Sequence, residues 1–255
     1  LEKKNQIKAA ETLKRRGIDG LVVVGGDGSI KGAEVLSKLG ISTVTIPGTI
    51  DNDMHGTDET IGHDTAVNAV VSAVSRIRAT ASAHNRAASV EVMGRFAGNI
   101  ALDSGLACGA EYILVPEVPF SRKKLARSLK RQMEEGRTNS IIICAEGADD
   151  GRALGEWLKE RTDIDICTTI LGFIQRGGQP SAKDAILGST LGAAAVKALL
   201  DGETAALVGM WEGKVRKVSY EDAKHIKKPF NQKLYDLAEM LGAAQVEGNI
   251  RESGL

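Results

Sequence analysis

The sequence predicts an α/β protein with largely parallel sheets, on three observations. Short apolar runs alternate with amphipathic stretches along nearly the whole chain. Glycine is abundant, with 29 residues in 255, which suits tight strand-to-helix turns and backbone that approaches a ligand closely. The run SIIICA, Ser140 to Ala145, is almost continuously apolar, as expected of a strand buried on both faces.

In chain order, Ile7, Ala10 and Leu13 with a stop at Gly17 fit the end of a helix. Gly20 to Val24 reads as a buried strand. Ile30, Ala33 and Leu36 then repeat at helical spacing up to Gly40, a left-handed cap candidate. Ser42 to Ile46 is a second strand. A long helix follows Gly62, with Ala66, Val70, Ala73, Val74 and Ile77 on its inner face. Ala88 to Val92 is a strand, a helix runs through Ala101, and Tyr112 to Val115 is a strand. Ser121 caps a helix carrying Leu125, Leu129 and Met133. After Ser140 to Ala145 come a strand over Thr168 to Leu171, a long helix over Ala182 to Leu200 and a late strand over Ala206 to Met210. Polar, Gly-rich breaks near Gly62 and Gln179 suggest a domain crossing and a return. Ligands are expected at the carboxyl ends of the strands.

Composition narrows the classes. Basic and acidic residues balance at 33 each and are interspersed, so no electrostatic case exists for nucleic acid or an anionic membrane. No apolar run approaches the ~20 residues that span a bilayer. Cys108, Cys144 and Cys167 lack metal-ligand spacing and are expected to be buried thiols in a reducing, cytoplasmic setting. His55, His63, His84 and His225 also lack ligand spacing and read as caps or surface residues. The opening LEKKNQIKAAETLKRRG is charged and amphipathic, without an apolar signal-peptide core, as if the chain starts at a helix.

Five loops carry chemistry. GGDGS, Gly25 to Ser29, joins a strand to a helix, where backbone N–H groups favour phosphate, and Asp27 offers an oxygen ligand suited to Mg²⁺. PGTIDND, Pro47 to Asp53, also follows a strand. Its Asp51 and Asp53, together with Asp27, make a set in which a metal is held and one carboxylate stays free as a base. MGRFAG, Met93 to Gly98, places Arg95 where it could stabilise charge on a transferring phosphoryl group. AEG, Ala145 to Gly147, puts Glu146 at a strand end, able to accept hydrogen bonds from sugar hydroxyls. QRGGQPSAKD, Gln175 to Asp184, offers Arg176 to a second phosphate.

In this order and spacing, GGDGS, PGTIDND, MGR, AEG and QRGG resemble the phosphofructokinase family, of the bacterial ATP-dependent type, over nearly the whole chain. The resemblance implies two three-layer α/β domains with largely parallel sheets and the active site in the interdomain cleft. Residues 1–62 and 180–229 would form the nucleotide-binding domain, and residues 63–179 the sugar-phosphate domain. A C-terminal helix and tail, 230–255, would return to the latter. Asp51 would take the proton from the sugar 1-hydroxyl. Asp27 and Asp53 would hold Mg²⁺. Gly26, Gly28, Ser29 and Gly32 would line the phosphates of ATP. Thr49 and Arg95 would stabilise the transferring group. Met93, Gly94 and Glu146 would contact fructose 6-phosphate. Arg176 would bind its phosphate within the subunit, and Arg86 that of a neighbouring subunit in a homotetramer. Arg78, Glu111 and Arg137 match an effector site. Pyrophosphate users of the family resemble one another in having Asp and Lys where this chain has Gly28 and Gly48, so the two glycines favour ATP.

The resemblance departs at several points. Cys167 and Phe173 stand where Arg and His usually bind the sugar phosphate. Glu135 stands where a basic effector residue is common. Family members also carry a further N-terminal segment with a first strand and another phosphate loop, so the chain is expected to lack one wall of the nucleotide site. Two other readings stay open: a non-catalytic or altered-substrate regulatory subunit, and a GGDG-type kinase of NAD or a lipid.

Overall fold

The structure is a computed structural model that describes residues 3–137, 139–243 and 246. In chain order, α1 (Lys3–Arg15) leads to β1 (Gly20–Gly25), α2 (Asp27–Lys38), β2 (Ser42–Pro47) and the long α3 (His63–Ala83). Next come β3 (Ala87–Val92), α4 (Asn99–Ala107), β4 (Tyr112–Leu114), α5 (Arg122–Glu134), β5 (Ser140–Ala145), α6 (Gly151–Thr162) and β6 (Ile166–Ile170). A 3₁₀ turn, Gly172–Gln175, precedes α7 (Ala182–Leu200), β7 (Ala206–Trp211), β8 (Lys214–Ser219), α8 (Tyr220–His225) and α9 (Gln232–Met240).

The chain divides into two compact units. One comprises Leu1–Asp64 with Pro180–Pro229, the other Thr65–Gln179 with Phe230–Leu255. The first has a four-stranded sheet in the order β1-β2-β7-β8. Its layers follow from the two-residue period of strands. Val44, Ile46 and Val208 point to one face and pack with Leu187, Leu191, Ala195 and Ala198 of α7. Leu207 and Val218 point to the other face, against Met54 and Ala223 of α8. Thr43 is buried on that second face, where its hydroxyl donates to the Ala33 carbonyl and accepts from Tyr220.

The second unit's sheet has the order β4-β5-β3-β6, all parallel. Ile142 and Cys144 of β5 join Leu125 and Leu129 of α5 and Leu154 and Leu158 of α6 in one buried cluster. Ile141 and Ile143 alternate to the opposite face and are equally buried, the side on which α4 packs against β4 and β5. Every residue of β5 is buried, as its apolar run predicts.

The sequence reading does not contain α6, α8 or β8. α6 starts in a Gly-rich stretch and is capped by Asp150, whose carboxylate accepts from Ala153 N. α9, within the 230–255 span where the resemblance implies a C-terminal helix, is capped in the same way by Asn231. β8 is antiparallel to β7, with a two-residue turn at Glu212 and Gly213, both at positive φ, the geometry that matches strand twist in a hairpin. Its mostly exposed residues hide it from a search for apolar runs.

Candidate active site

At the carboxyl end of the first sheet, β1 and β2 run parallel and in register, Gly25 opposite Pro47. Gly48 N donates to the Gly25 carbonyl at 3.1 Å, so GGDGS and PGTIDND are neighbours by strand pairing alone. Asp27 and Gly28 open α2 on the solvent side and Gly26 is its N-cap, leaving the first N–H groups of that helix to be met from outside. Ser29 and Gly32 follow in the first turns of the same helix. Among the described residues, the carboxylates of Asp27 and Asp53 have no hydrogen bond or ion pair, and both residues are exposed. Two uncommitted carboxylates on adjacent loops fit a hard divalent cation that keeps much of its water, as Mg²⁺ does.

Asp51 is different. It is 7% exposed, and its backbone is held from several sides. Asp51 N donates to Thr49 Oγ1 at 3.3 Å. Thr60 Oγ1 donates to the Thr49 carbonyl at 2.6 Å, and His63 Nδ1 meets the Ile50 carbonyl at 2.7 Å. Asn52 takes a left-handed φ of 52°, and its Oδ1 accepts from Lys228 Nζ at 2.6 Å. His63 is therefore no surface residue; it is 8% exposed and tied to the acidic loop. Sequence spacing misses it because its partner is a backbone carbonyl.

In the second unit, Val92 pairs with Ala145, which sets MGR beside AEG. Glu146 Oε1 accepts from Gly94 N at 3.1 Å and from Arg95 N at 2.7 Å. This carboxylate holds Arg95 at a φ of 54°. The approach is so close that a Cβ on Gly147 would sit 2.1 Å from the Arg95 carbonyl oxygen. Met93 N donates to Gln175 Oε1 at 3.0 Å, and Gln175 is 1% exposed. Gln175 thereby joins the MGR loop to the 3₁₀ turn, a role that the reading of QRGG did not assign. Met93, Gly94, Arg95 and Glu146 thus converge at one sheet edge. The Arg176 guanidinium lies 5.3 Å from the Phe173 ring centroid, stacked on its face.

Arg86 does not join them. It precedes β3, whose six residues put it roughly 20 Å from Met93. There it pairs with Asp165 at 2.6 Å. Cys167 pairs with Ala88 at this same amino edge. Cys167 and Phe173, expected at one phosphate, therefore sit at opposite ends of β6 within the chain. Cys167 is also exposed and Cys108 half-buried; of the three cysteines only Cys144 is fully buried, and burial pushes its thiol up to about 12.

Arg78, Glu111 and Arg137 do come together. Glu111 Oε1 accepts from Arg137 at 3.0 Å and from Arg78 at 3.3 Å, while its Oε2 accepts from Ile141 N. Glu111 and Arg137 line a cavity of about 150 Å³ with Leu106, Ala238 and Leu241. Glu135 is exposed at the end of α5, 3.9 Å from Arg131. Among the described residues no helix is long and apolar enough to cross a membrane, and no group of three His, Cys, Asp or Glu gathers as a metal site.

The family model described as Phosphofructokinase matches residues 1–199. The chain belongs to the phosphofructokinase family. That match removes the NAD or lipid kinase alternative. An ATP-dependent 6-phosphofructokinase 1 of Clostridium perfringens is 46% identical over 234 residues, which cover 92% of this chain and 73% of that relative. An ATP-dependent 6-phosphofructokinase of Paenibacillus macquariensis is 48% identical over 237 residues, covering 92% of this chain and 74% of that relative. Among solved structures, the phosphofructokinase of Saccharomyces cerevisiae superposes with a TM-score of 0.78 at 36% identity, over 94% of this chain and 37% of that one. A pyrophosphate-dependent phosphofructokinase of Marinobacter aquaeolei superposes with a TM-score of 0.82 over 98% of this chain and 74% of that one; at 22% identity it speaks to the fold alone.

The two glycines behave differently against that background. A Cβ on Gly28 meets nothing within 4 Å, so any restriction there comes from the ligand. A Cβ on Gly48 would lie 2.8 Å from Val24 Cγ1 and 3.3 Å from Gly25 N, so a Lys at 48 would displace β1.

Proposed function

We propose that this phosphofructokinase transfers the terminal phosphoryl group of MgATP to the 1-hydroxyl of fructose 6-phosphate, giving fructose 1,6-bisphosphate and ADP. The observation that carries the reading is the buried, many-sided anchoring of Asp51 beside two uncommitted carboxylates. Asp51 accepts the hydroxyl proton as the nucleophile attacks. Thr49 and Arg95 stabilise the charge of the transferring group, and Gly26, Gly28, Ser29 and Gly32 offer backbone donors to the nucleotide phosphates. Asp27 and Asp53 hold Mg²⁺, which when bound neutralises phosphate charge. Met93, Gly94 and Glu146 bind the sugar, and Arg176 its 6-phosphate.

Arg86 lies at the opposite end of β3 from Met93 and Gly94, which supports a role across a subunit boundary in a homotetramer. The cavity at Glu111 and Arg137, with Arg78 beside it, is read as an effector pocket. The regulatory-subunit reading rests on Cys167 and Phe173, neither of which supplies a charged donor.

The test is a steady-state assay of the complete protein with fructose 6-phosphate and either MgATP or pyrophosphate. Turnover with MgATP and none with pyrophosphate is expected. Preference for pyrophosphate would overturn the donor assignment, and absence of turnover with both would favour the regulatory reading.

A further inference from the structure

Two side chains outside the motif loops converge on the two peptide groups that precede Asp51. Thr60 Oγ1 donates to the Thr49 carbonyl at 2.6 Å. His63 Nδ1 lies 2.7 Å from the Ile50 carbonyl. A carbonyl oxygen only accepts, so this ring nitrogen carries a proton. One residue earlier, Gly62 N donates to Asp184 Oδ1 at 2.9 Å. Asp184 is 3% exposed in the first turn of α7, where its own N–H is held by Ser181 Oγ. His63 is thus tied through its neighbour Gly62 to the first turn of α7.

The consequence is geometric. The Ile50 carbonyl and the Asp51 N–H belong to one planar peptide group. His63 holds its oxygen, and Thr49 Oγ1 accepts from its N–H at 3.3 Å. The preceding peptide plane is held at its oxygen by Thr60. Once both planes are set, the direction of the Asp51 side chain depends only on its own torsions.

We infer that His63 and Thr60 are positioning residues that aim the Asp51 carboxylate at the acceptor hydroxyl, an inference that rests on the reading of Asp51 as the base. His63 touches no substrate in this scheme. It acts on the chemical step through the loop backbone, so its loss lowers kcat and leaves ground-state binding nearly unchanged.

The experiment compares His63→Phe and His63→Asn in the complete protein. Phe keeps a ring and removes the donor; Asn places an N–H one bond from Cγ, as His does. His63→Phe is expected to lower kcat by about 10- to 100-fold with KM for both substrates within about twofold, since small misplacements of a reacting group are that costly. His63→Asn should recover most of that loss. Should His63→Phe fail to fold, Thr60→Val, compared with Thr60→Ser, is expected to show the same split. Parental kcat in His63→Phe, or equal loss in Phe and Asn variants, would overturn the inference. The tautomer gives a readout that does not need activity: nitrogen NMR of the His63 ring should find Nδ1 protonated, and a bare Nδ1 would overturn it. An inactive parent with a protonated Nδ1 would overturn the kinase reading while the loop anchor stands.

Discussion

The two edges of the second unit's sheet hold basic residues in opposite circumstances. At the carboxyl edge, Arg95 has its backbone clamped by the carboxylate of Glu146, and Met93 is held by buried Gln175. At the amino edge, Arg86 is a half-exposed side chain whose partner, Asp165, is half-exposed as well. An exposed pair of this kind is worth only ~0–1 kcal/mol, so Arg86 can leave it for a better anion. The carboxyl edge is built for precision and the amino edge for availability. That contrast suits the proposed division of roles, in which Arg86 would serve a neighbouring subunit.

The comparison breaks if the carboxyl edges do not dominate turnover. The largest effect is expected for Asp51→Ser, with kcat down about 10²–10⁴-fold and KM for fructose 6-phosphate nearly unchanged. Near-normal turnover in that variant would remove Asp51 from the mechanism. Arg86→Ala, by contrast, should raise KM and spare kcat.

A second test strikes the clamp itself. Gly147→Ala drives a methyl group into the Arg95 carbonyl, at 2.1 Å, so the MGR loop must move. A loss of stability of about 1–3 kcal/mol by denaturant titration is expected, as for other overpacked sites, together with a fall in kcat/KM. If both stay at parental values, the close approach of the two loops is not what orders Arg95.

The effect confined to substrate affinity concerns the departures from the family pattern. Cys167→Arg adds a cation beside Arg86, whereas Phe173→His acts beside Arg176, at the other end of β6. A recovered charge-assisted bond is worth ~1.5–3 kcal/mol, so KM for fructose 6-phosphate should fall roughly 10-fold or more, with kcat changing less. Dilution to monomers should abolish the gain from Cys167→Arg and keep that from Phe173→His. A gain from Cys167→Arg that survives dilution would place both edges in one site and break the comparison.

The motif loops were legible because each follows a buried apolar strand, and strand ends are where backbone donors and short acidic side chains collect. SIIICA followed by Glu146, and GLVVV followed by GGDGS, announce both the strand and its functional end. β8 was not legible, since all its residues but Val218 face water and its turn depends on two positive φ values that Glu212 does not advertise. α6 was missed because a polar cap starts it within a Gly-rich stretch.

What required the folded chain was every contact between residues far apart in sequence. His63 and Gln175 look like ordinary polar residues until the fold brings a carbonyl or an N–H to them across 13 and 82 positions. The separation of Cys167 from Phe173 is the same lesson in reverse. The resemblance assigns both to one phosphate, but an extended strand carries the chain ~3.3 Å per residue and delivers them to opposite edges of the sheet. Local pattern can specify an element and its chemistry, because both depend on neighbours in the chain. Partnership depends on strand register and burial, which exist only after the chain has folded.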